Sequence, residues 1–279
     1  MEQSAPVPGY EWKFERSDSG ITVQAATEAG EPAAHGKLSF RSVTPTEHRA
    51  SFEAAVELAH QRHGLGHALI AWAEAATRDH YAANLAAGEP VAFRAEADTP
   101  AARAVALYRR SGLELTVAED EMERPLTAIP NRDLAPELCV LSWGPMTAPL
   151  FFHAYDSAFR ERPGFPGWDE TRWQAAFAES DEFAPDLSMV VMDGPEPAAF
   201  AILWIEGVAG WITQMGVRPG WRGRGLGEAL LARAMRSFAD RGLQKAALEV
   251  ATNNLVAHAL YQRLGFETTH SWQAWQKQL

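Results

Sequence analysis

The stretch Gln214-Met215-Gly216-Val217-Arg218-Pro219-Gly220-Trp221-Arg222-Gly223-Arg224-Gly225-Leu226-Gly227 is an apolar strand that runs through a glycine-rich turn into a helix. Glycines at a helix start gather several backbone N–H groups around one concavity, and the positive end of the helix dipole adds to the attraction for an anion. The pattern reads as a pyrophosphate seat. On this segment alone the alternative is a helix cap whose glycines serve close packing. No Gly-Lys-Ser/Thr follows, so it is not a Walker loop, and its strand belongs to a meander, which argues against a Rossmann turn.

Downstream, Leu226, Leu230, Ala234 and Phe238 recur every four residues beside Leu231 and Met235, and Gly242 supplies a stop, so an amphipathic helix is expected. A strand over 245–251 follows, then a short helix with Val256, Leu260 and Leu264 on one face and Gly265 at its end. Upstream, strand candidates at 187–192, 198–205 and 211–217 are divided by Asp193-Gly194-Pro195 and Glu206-Gly207. Before them, 138–143 is strand-like, and 147–162 and 169–179 read as helices around a Pro- and Gly-rich loop at 162–168. The alternation predicts an α/β fold with a mixed central sheet flanked by helices.

The first half repeats this order more faintly. Gln61-Arg62-His63-Gly64-Leu65-Gly66 stands 161 residues before Arg222-Gly223-Arg224-Gly225-Leu226-Gly227, and Ala106-Leu107-Tyr108-Arg109-Arg110-Ser111-Gly112-Leu113 stands 153 before Ala259-Leu260-Tyr261-Gln262-Arg263-Leu264-Gly265-Phe266. A loop-length difference of eight reconciles the offsets. The expected organisation is a tandem duplication, a reduced copy at 1–128 and a complete one at 129–279, joined through the Pro-containing stretch 124–136.

A chain of 279 residues has room for two such domains. Its 47% apolar and 22% charged composition is that of a packed globular protein, and a net charge of -11 opposes binding to a phosphate backbone, so no nucleic acid partner is expected. Residues 1–13 lack a basic stretch followed by an apolar one, and no apolar run approaches the ~18 residues of a membrane span. A cytoplasmic protein without a membrane partner is expected. The single cysteine, Cys139, excludes an internal disulfide, and its apolar setting predicts a buried structural thiol rather than a nucleophile. His60, His63 and His67 have no acidic fourth ligand in place, so no metal is expected.

Leu248-Glu249-Val250-Ala251-Thr252-Asn253-Asn254-Leu255-Val256-Ala257-His258-Ala259-Leu260-Tyr261 completes the picture. Together the two segments resemble the hallmarks of the GNAT superfamily of acyl-CoA N-acyltransferases. Its Arg/Gln-x-x-Gly-x-Gly/Ala phosphate loop matches at Arg222, Gly225 and Gly227, and its tyrosine motif at Tyr261, 34 residues beyond Gly227. The resemblance is strong over 198–272 and weak over the first half, and the doubled layout resembles the mycothiol synthase type. It implies acetyl-CoA as co-substrate. Backbone groups of Met215 and Val217 would bind the pantetheine amides where two strands splay apart. Arg222 with the N–H groups of Gly223, Arg224, Gly225, Leu226 and Gly227 would hold the pyrophosphate, and Asn254 would touch the pantetheine arm.

Tyr261 would protonate the departing thiolate, because a phenol is slightly less acidic than a thiol and must be placed well to donate. Its alternative is a half-buried core tyrosine. A protonated amine cannot attack a thioester, so a base is needed, and Glu249 is the candidate, set among Ala247 and Ala251 on one strand face. A solvated or paired structural carboxylate is the alternative. Its spacing of 12 before the tyrosine resembles the ribosomal-protein alanine acetyltransferases, whose matching glutamate is the proposed base.

The resemblance places the acceptor between the first two helices and the last strands. Arg160, Arg162, Phe165 and Trp168 are candidate lining residues, as are Trp211, Gln214, His270 and Trp272. The expected reaction is acetyl transfer to a primary amine of a small metabolite by direct attack, in a monomer or homodimer. Transfer to a protein N-terminus or lysine, and non-catalytic acyl-CoA binding, are the alternatives. The first half keeps Gln61, Gly64, Gly66, Glu96 and Tyr108, but has Ala101 where Asn254 stands and strand-like sequence where two helices belong. It is expected to be a structural partner without turnover.

Overall fold

A computed structural model describes residues 7–17, 19–44, 47–84, 89–98, 102–162, 165, 167–178 and 180–279. The chain divides into two compact units, one of Met1–Glu119 with His270–Leu279 and the other of Asp120–Thr269. In chain order the first half contributes β1 (Tyr10–Ser17), β2 (Gly20–Thr27), β3 (Pro32–Thr44), β4 (Glu47–Val56), α1 (Leu65–Asn84), β5 (Val91–Asp98), α2 (Ala102–Arg110) and β6 (Glu114–Pro125). The second contributes β7 (Leu138–Ser142), α3 (Ala148–Phe159), α4 (Glu170–Ala178), β8 (Met189–Asp193), β9 (Glu196–Glu206), β10 (Ala209–Val217), α5 (Leu226–Asp240), β11 (Lys245–Ala251), α6 (Leu255–Arg263) and β12 (Glu267–Gln278).

Each unit is a mixed sheet with helices on its faces. In the first unit β1 to β4 form an antiparallel meander, β4 and β5 run parallel, and β12 pairs antiparallel with β5 from Trp272↔Asp98 to Gln278↔Ala92. In the second unit β7, β8, β9 and β10 are antiparallel neighbours, and β10 and β11 run parallel. Both parallel pairs need a crossover, which α1 and α5 provide. The buried stripe of α5, with Leu230, Leu231, Ala234, Met235 and Phe238, packs on Leu203, Ile212 and Leu248. The α1 residues Leu65, Leu69, Ile70 and Ala73 pack likewise with Phe52 and Phe93.

The expected α/β fold with a reduced N-terminal copy is present. β5, β6 and β12 escape a reading of the sequence. β6 is dense in carboxylates and β12 mixes polar with aromatic residues, so neither shows an apolar run. The last strand is also shared: residues 267–269 belong to the second unit and 270–278 to the first. β6 passes the other way, with residues 114–119 in the first unit and 120–125 in the second. The units thus meet the chain about ten residues before the expected 128/129 division and assign its final residues differently.

Cys139, expected to be buried, is exposed. Among the described strands β7 stands at the sheet edge beside β8, and its alternation turns Leu138 and Val140 toward the core while Cys139 and Leu141 face outward.

Candidate active site

Arg222 follows a 3-10 turn at Pro219–Trp221 with extended backbone (φ -64°, ψ 155°), and Gly223 and Gly225 then take φ +76° and +80°. A side chain disfavours that left-handed region, so glycine at Gly225 lets the chain turn directly into α5, whose first N–H groups have no partner within the helix. A Cβ at Gly227 would lie 3.3 Å from Leu260, so this glycine sets how closely α5 approaches α6. Arg222 donates from Nε to the Val217 carbonyl (3.1 Å) and from Nη2 to the Ala158 carbonyl (3.0 Å), which braces the turn against α3. Arg224 is exposed and has no partner among the described residues.

The parallel register of β10 and β11 runs from Ala209↔Lys245 to Ile212↔Leu248 and stops, although both strands continue. Beyond an irregularity between Ile212 and Gln214, β10 stays paired with β9 alone. The Arg218 N–H donates to Ala198 on β9 (3.0 Å), so by strand alternation Gly216 and Gln214 face β9 while Met215 and Val217 present their backbone groups to the opening. This is the expected splayed gap. Glu249 is the first β11 residue past the last pair and is exposed.

Tyr261 is buried on α6, with its ring 6.0 Å from that of Phe266. Burial pushes its phenol up to about 12, and no described residue hydrogen-bonds its hydroxyl. Asn254 is the N-cap of α6, its Oδ1 accepting from the Ala257 N–H at 3.2 Å, which leaves its amide N–H groups outward of the cap. His258, one turn before Tyr261, stands 3.4 Å from Asp120.

The wall expected from the first two helices exists. α3 and α4 carry an aromatic cluster in which Tyr155 stacks on Trp173 at 4.8 Å. Trp173, fully buried, donates to the Gln214 Oε1 at 3.1 Å, and since an indole N–H only donates, the Gln214 amide must turn its N–H groups away. Phe165 joins Tyr155 at 5.6 Å, Trp168 lies under Arg172, Arg162 lies over Phe159, and Arg160 pairs with Asp156. Trp211 sits in β10 opposite Trp204. His270 and Trp272 belong to the first unit, where His270 pairs with Asp98 and Trp272 lies under Arg94. One contributor, Trp173, does not stand out in the sequence, where an indole among the apolar positions of a helix reads as core.

A cavity of about 300 Å³ lined by Asp133, Leu134, Pro136, Val140 and Arg233 contains none of the motif residues. Among the described residues no group of three His, Cys, Asp or Glu is placed to hold a metal ion, and no helix is long and apolar enough to cross a membrane. His60 instead contacts the Tyr10 hydroxyl at 3.1 Å.

A glycine turn opening a helix, a splayed parallel pair and a buried tyrosine on the next helix define the class of protein: an acyl-CoA N-acyltransferase. The family described as acetyltransferase (GNAT) matches residues 2–113 and 151–266, and the chain belongs to it. Its relatives include the mycothiol acetyltransferase of Kineococcus radiotolerans, 33% identical over 218 residues that cover 77% of this chain and 68% of that one. The Nocardia farcinica mycothiol acetyltransferase is 29% identical over 271 residues, 90% and 85% of the two chains. Among solved structures, a GCN5-related N-acetyltransferase from Sphaerobacter thermophilus shares the fold with TM-score 0.73 at 23% identity, over 92% of this chain and 80% of that one. A tandem GNAT protein from the clavulanic acid biosynthesis pathway aligns with TM-score 0.60 at 14% identity, over 97% and 84%. The chain is therefore a tandem GNAT enzyme, an acyl-CoA-dependent acetyltransferase acting on an amine with acetyl-CoA as co-substrate.

Proposed function

We propose that turnover belongs to the second unit, which moves an acetyl group from acetyl-CoA to a primary amine of a small metabolite. The relatives' name, mycothiol acetyltransferase, supports a metabolite acceptor over a protein one. The observation that carries the reading is the coincidence in one unit of the glycine turn, the open strand edges and a tyrosine whose hydroxyl is uncommitted.

The N–H groups from Gly223 to Gly227 and the charge of Arg224 hold the pyrophosphate, with Arg222 bracing the turn. The edges of Met215 and Val217 bind the pantetheine amides, and Asn254 meets the pantetheine arm with the amide N–H groups left by its cap. Glu249 takes the proton of the attacking amine, the C–N bond forms, and the C–S bond of the tetrahedral intermediate breaks toward the thiol. A phenol near 12 is a weaker acid than a thiol near 8.5, and complete transfer from it would be uphill by about 5 kcal/mol. Tyr261 accordingly acts as a hydrogen-bond donor to the developing thiolate, and the proton completing the thiol comes from the ammonium by way of Glu249 or water.

The Gln214 amide, locked by Trp173, offers donors to an oxygen of the acceptor. The test is free-thiol release from acetyl-CoA with a panel of small amines, including the substrate of mycothiol acetyltransferase, beside peptides with free N-termini and lysines. Turnover confined to the peptides would sink the metabolite reading.

A further inference from the structure

We infer that Arg124, on the second-unit part of β6, is a positioning residue that holds Tyr261 in register for the reaction through the C-terminal turn of α6. The inference rests on Tyr261 being the donor to the leaving thiolate. Arg124 is 8% exposed and donates only to backbone carbonyls among the described residues. Nη1 donates to Leu264, Nε to Pro125 at 3.2 Å, and Nη2 to Thr127 at 3.0 Å and Ala128 at 3.4 Å. Leu264 is the C-cap of α6: its own N–H reaches the Leu260 and Tyr261 carbonyls, and the Phe266 N–H also donates to Tyr261 at 3.0 Å. A buried cation therefore sits at the negative end of α6, one turn from the tyrosine, tying that end to the 125–128 segment.

The first unit has the same device with different stakes. Lys277 of β12 donates to the Ser111 carbonyl at 2.7 Å, and Ser111 ends α2 as Leu264 ends α6. The residues are related by one offset, since Arg124 precedes Lys277 by 153 and Ser111 precedes Leu264 by 153. Tyr108 is held besides by its own hydroxyl, which donates to the Glu96 carbonyl at 3.2 Å. Among the described residues Tyr261 has no such tether, so its placement depends on the backbone that carries it and on contact with Phe266. A guanidinium that satisfies four carbonyls at once fixes that backbone more tightly than the single point charge of a lysine.

The test compares Arg124→Lys and Arg124→Met in the wild-type and Tyr261→Phe backgrounds, after circular dichroism has established that each protein is folded. Expected is a fall in kcat of about threefold for Arg124→Lys and about tenfold or more for Arg124→Met, as for a displaced catalytic group. KM for acetyl-CoA should change by less than about twofold, and neither substitution should lower the residual rate of Tyr261→Phe, because groups that act as a unit are non-additive. Should Arg124→Met not fold, Arg124→Lys decides alone. A folded variant with wild-type kcat, or with an equal loss in both backgrounds, overturns the inference. Full turnover by Tyr261→Phe itself would instead remove the catalytic reading on which it rests.

Discussion

The two halves share a backbone and differ in what their side chains are already doing. Gln61 and Arg222 both leave a 3-10 turn in extended conformation, Gly64 and Gly225 both turn left-handed, and Gly66 and Gly227 lie against Leu107 and Leu260. Gly112 and Gly265 end the last helices alike, and β4 parts from β5 beyond Phe52↔Ala95 as β10 parts from β11. In the first half, however, Tyr108 donates to the Glu96 carbonyl, and the Glu96 carboxylate is paired with Arg94 at 2.7 Å, where the second half has Ala247 at the matching position. Among the described residues no α-helix precedes α1, so α3 and α4 have no counterpart. A glycine turn survives duplication because it is made of backbone, whereas the proposed chemistry also needs a tyrosine hydroxyl with no partner among the described residues and a wall that positions the acceptor.

The sharpest way to break this contrast is to remove each tyrosine hydroxyl in turn. Tyr261→Phe should lower kcat by roughly a hundredfold, the usual scale for losing one hydrogen-bond donor to charge that develops in the transition state, while Tyr108→Phe leaves it nearly intact. The reverse pattern of rates would move the reaction to the other half. The raised phenol also sets a stability signature. The unfolded tyrosine loses its proton near 10 and the buried one near 12, so the folded state binds more protons between those values, and stability falls as pH rises through that window. Below pH 10 this contribution is fully present. Plotted against pH, the stabilities of wild type and Tyr261→Phe should therefore run parallel below pH 10, with wild type falling more steeply between about 10 and 12.

A smaller effect is expected at the turn. Gly225→Val places a β-branched residue at φ +80° and disturbs the N–H groups that face the phosphate, which should raise KM for acetyl-CoA about tenfold, the worth of roughly one charge-assisted hydrogen bond. Gly64→Val should strain the first half equally and leave that KM unchanged. Equal changes in KM from the two substitutions would erase the distinction between the halves.

How far the sequence discloses this molecule follows from the range of the forces involved. The glycine turn, the α5 stripe and the meander are local, and they are legible because their periodicity and turn residues lie within a dozen positions. The missing helices of the first half are legible for the same reason. The shared strands β6 and β12 are not, since their partners come from the other end of the chain and they carry no apolar run. Arg124 reads as a linker residue until the carbonyls that surround it are in view, and Cys139 reads as buried until β7 is known to lie at an edge. The commitment of Glu96 to Arg94, two residues back on the same face of β5, is local, but the spacing from Tyr108 does not reveal it.

For the base, Glu249→Gln should reduce kcat/KM several-fold at pH 6 to 7, where a primary amine is mostly protonated, and less as pH approaches the amine's own pKa. Glu96→Gln should change nothing, since that carboxylate already serves Arg94. A Glu249→Gln enzyme with the wild-type pH profile would take Glu249 out of the mechanism and leave water as the proton acceptor.

The smallest expected effect exchanges one residue between the turns. Arg62 holds φ 69° at the position where Gly223 has φ +76°, so the first half keeps the turn at the expense of a side chain in the left-handed region. That conformation costs an L-residue about 1 to 2 kcal/mol, and relief by glycine is partly offset by the greater freedom of an unfolded glycine, up to about 1 kcal/mol. Arg62→Gly should therefore raise stability by no more than about 1 kcal/mol, a few degrees in Tm, with kcat and KM for acetyl-CoA unchanged. Gly223→Arg should lose a similar amount of stability and weaken acetyl-CoA as well, because in the second unit the strained backbone is also the binding surface. If Arg62→Gly instead altered KM, the first turn would be contributing to the measured reaction, and the separation of a working half from a supporting one would fail at its mildest test.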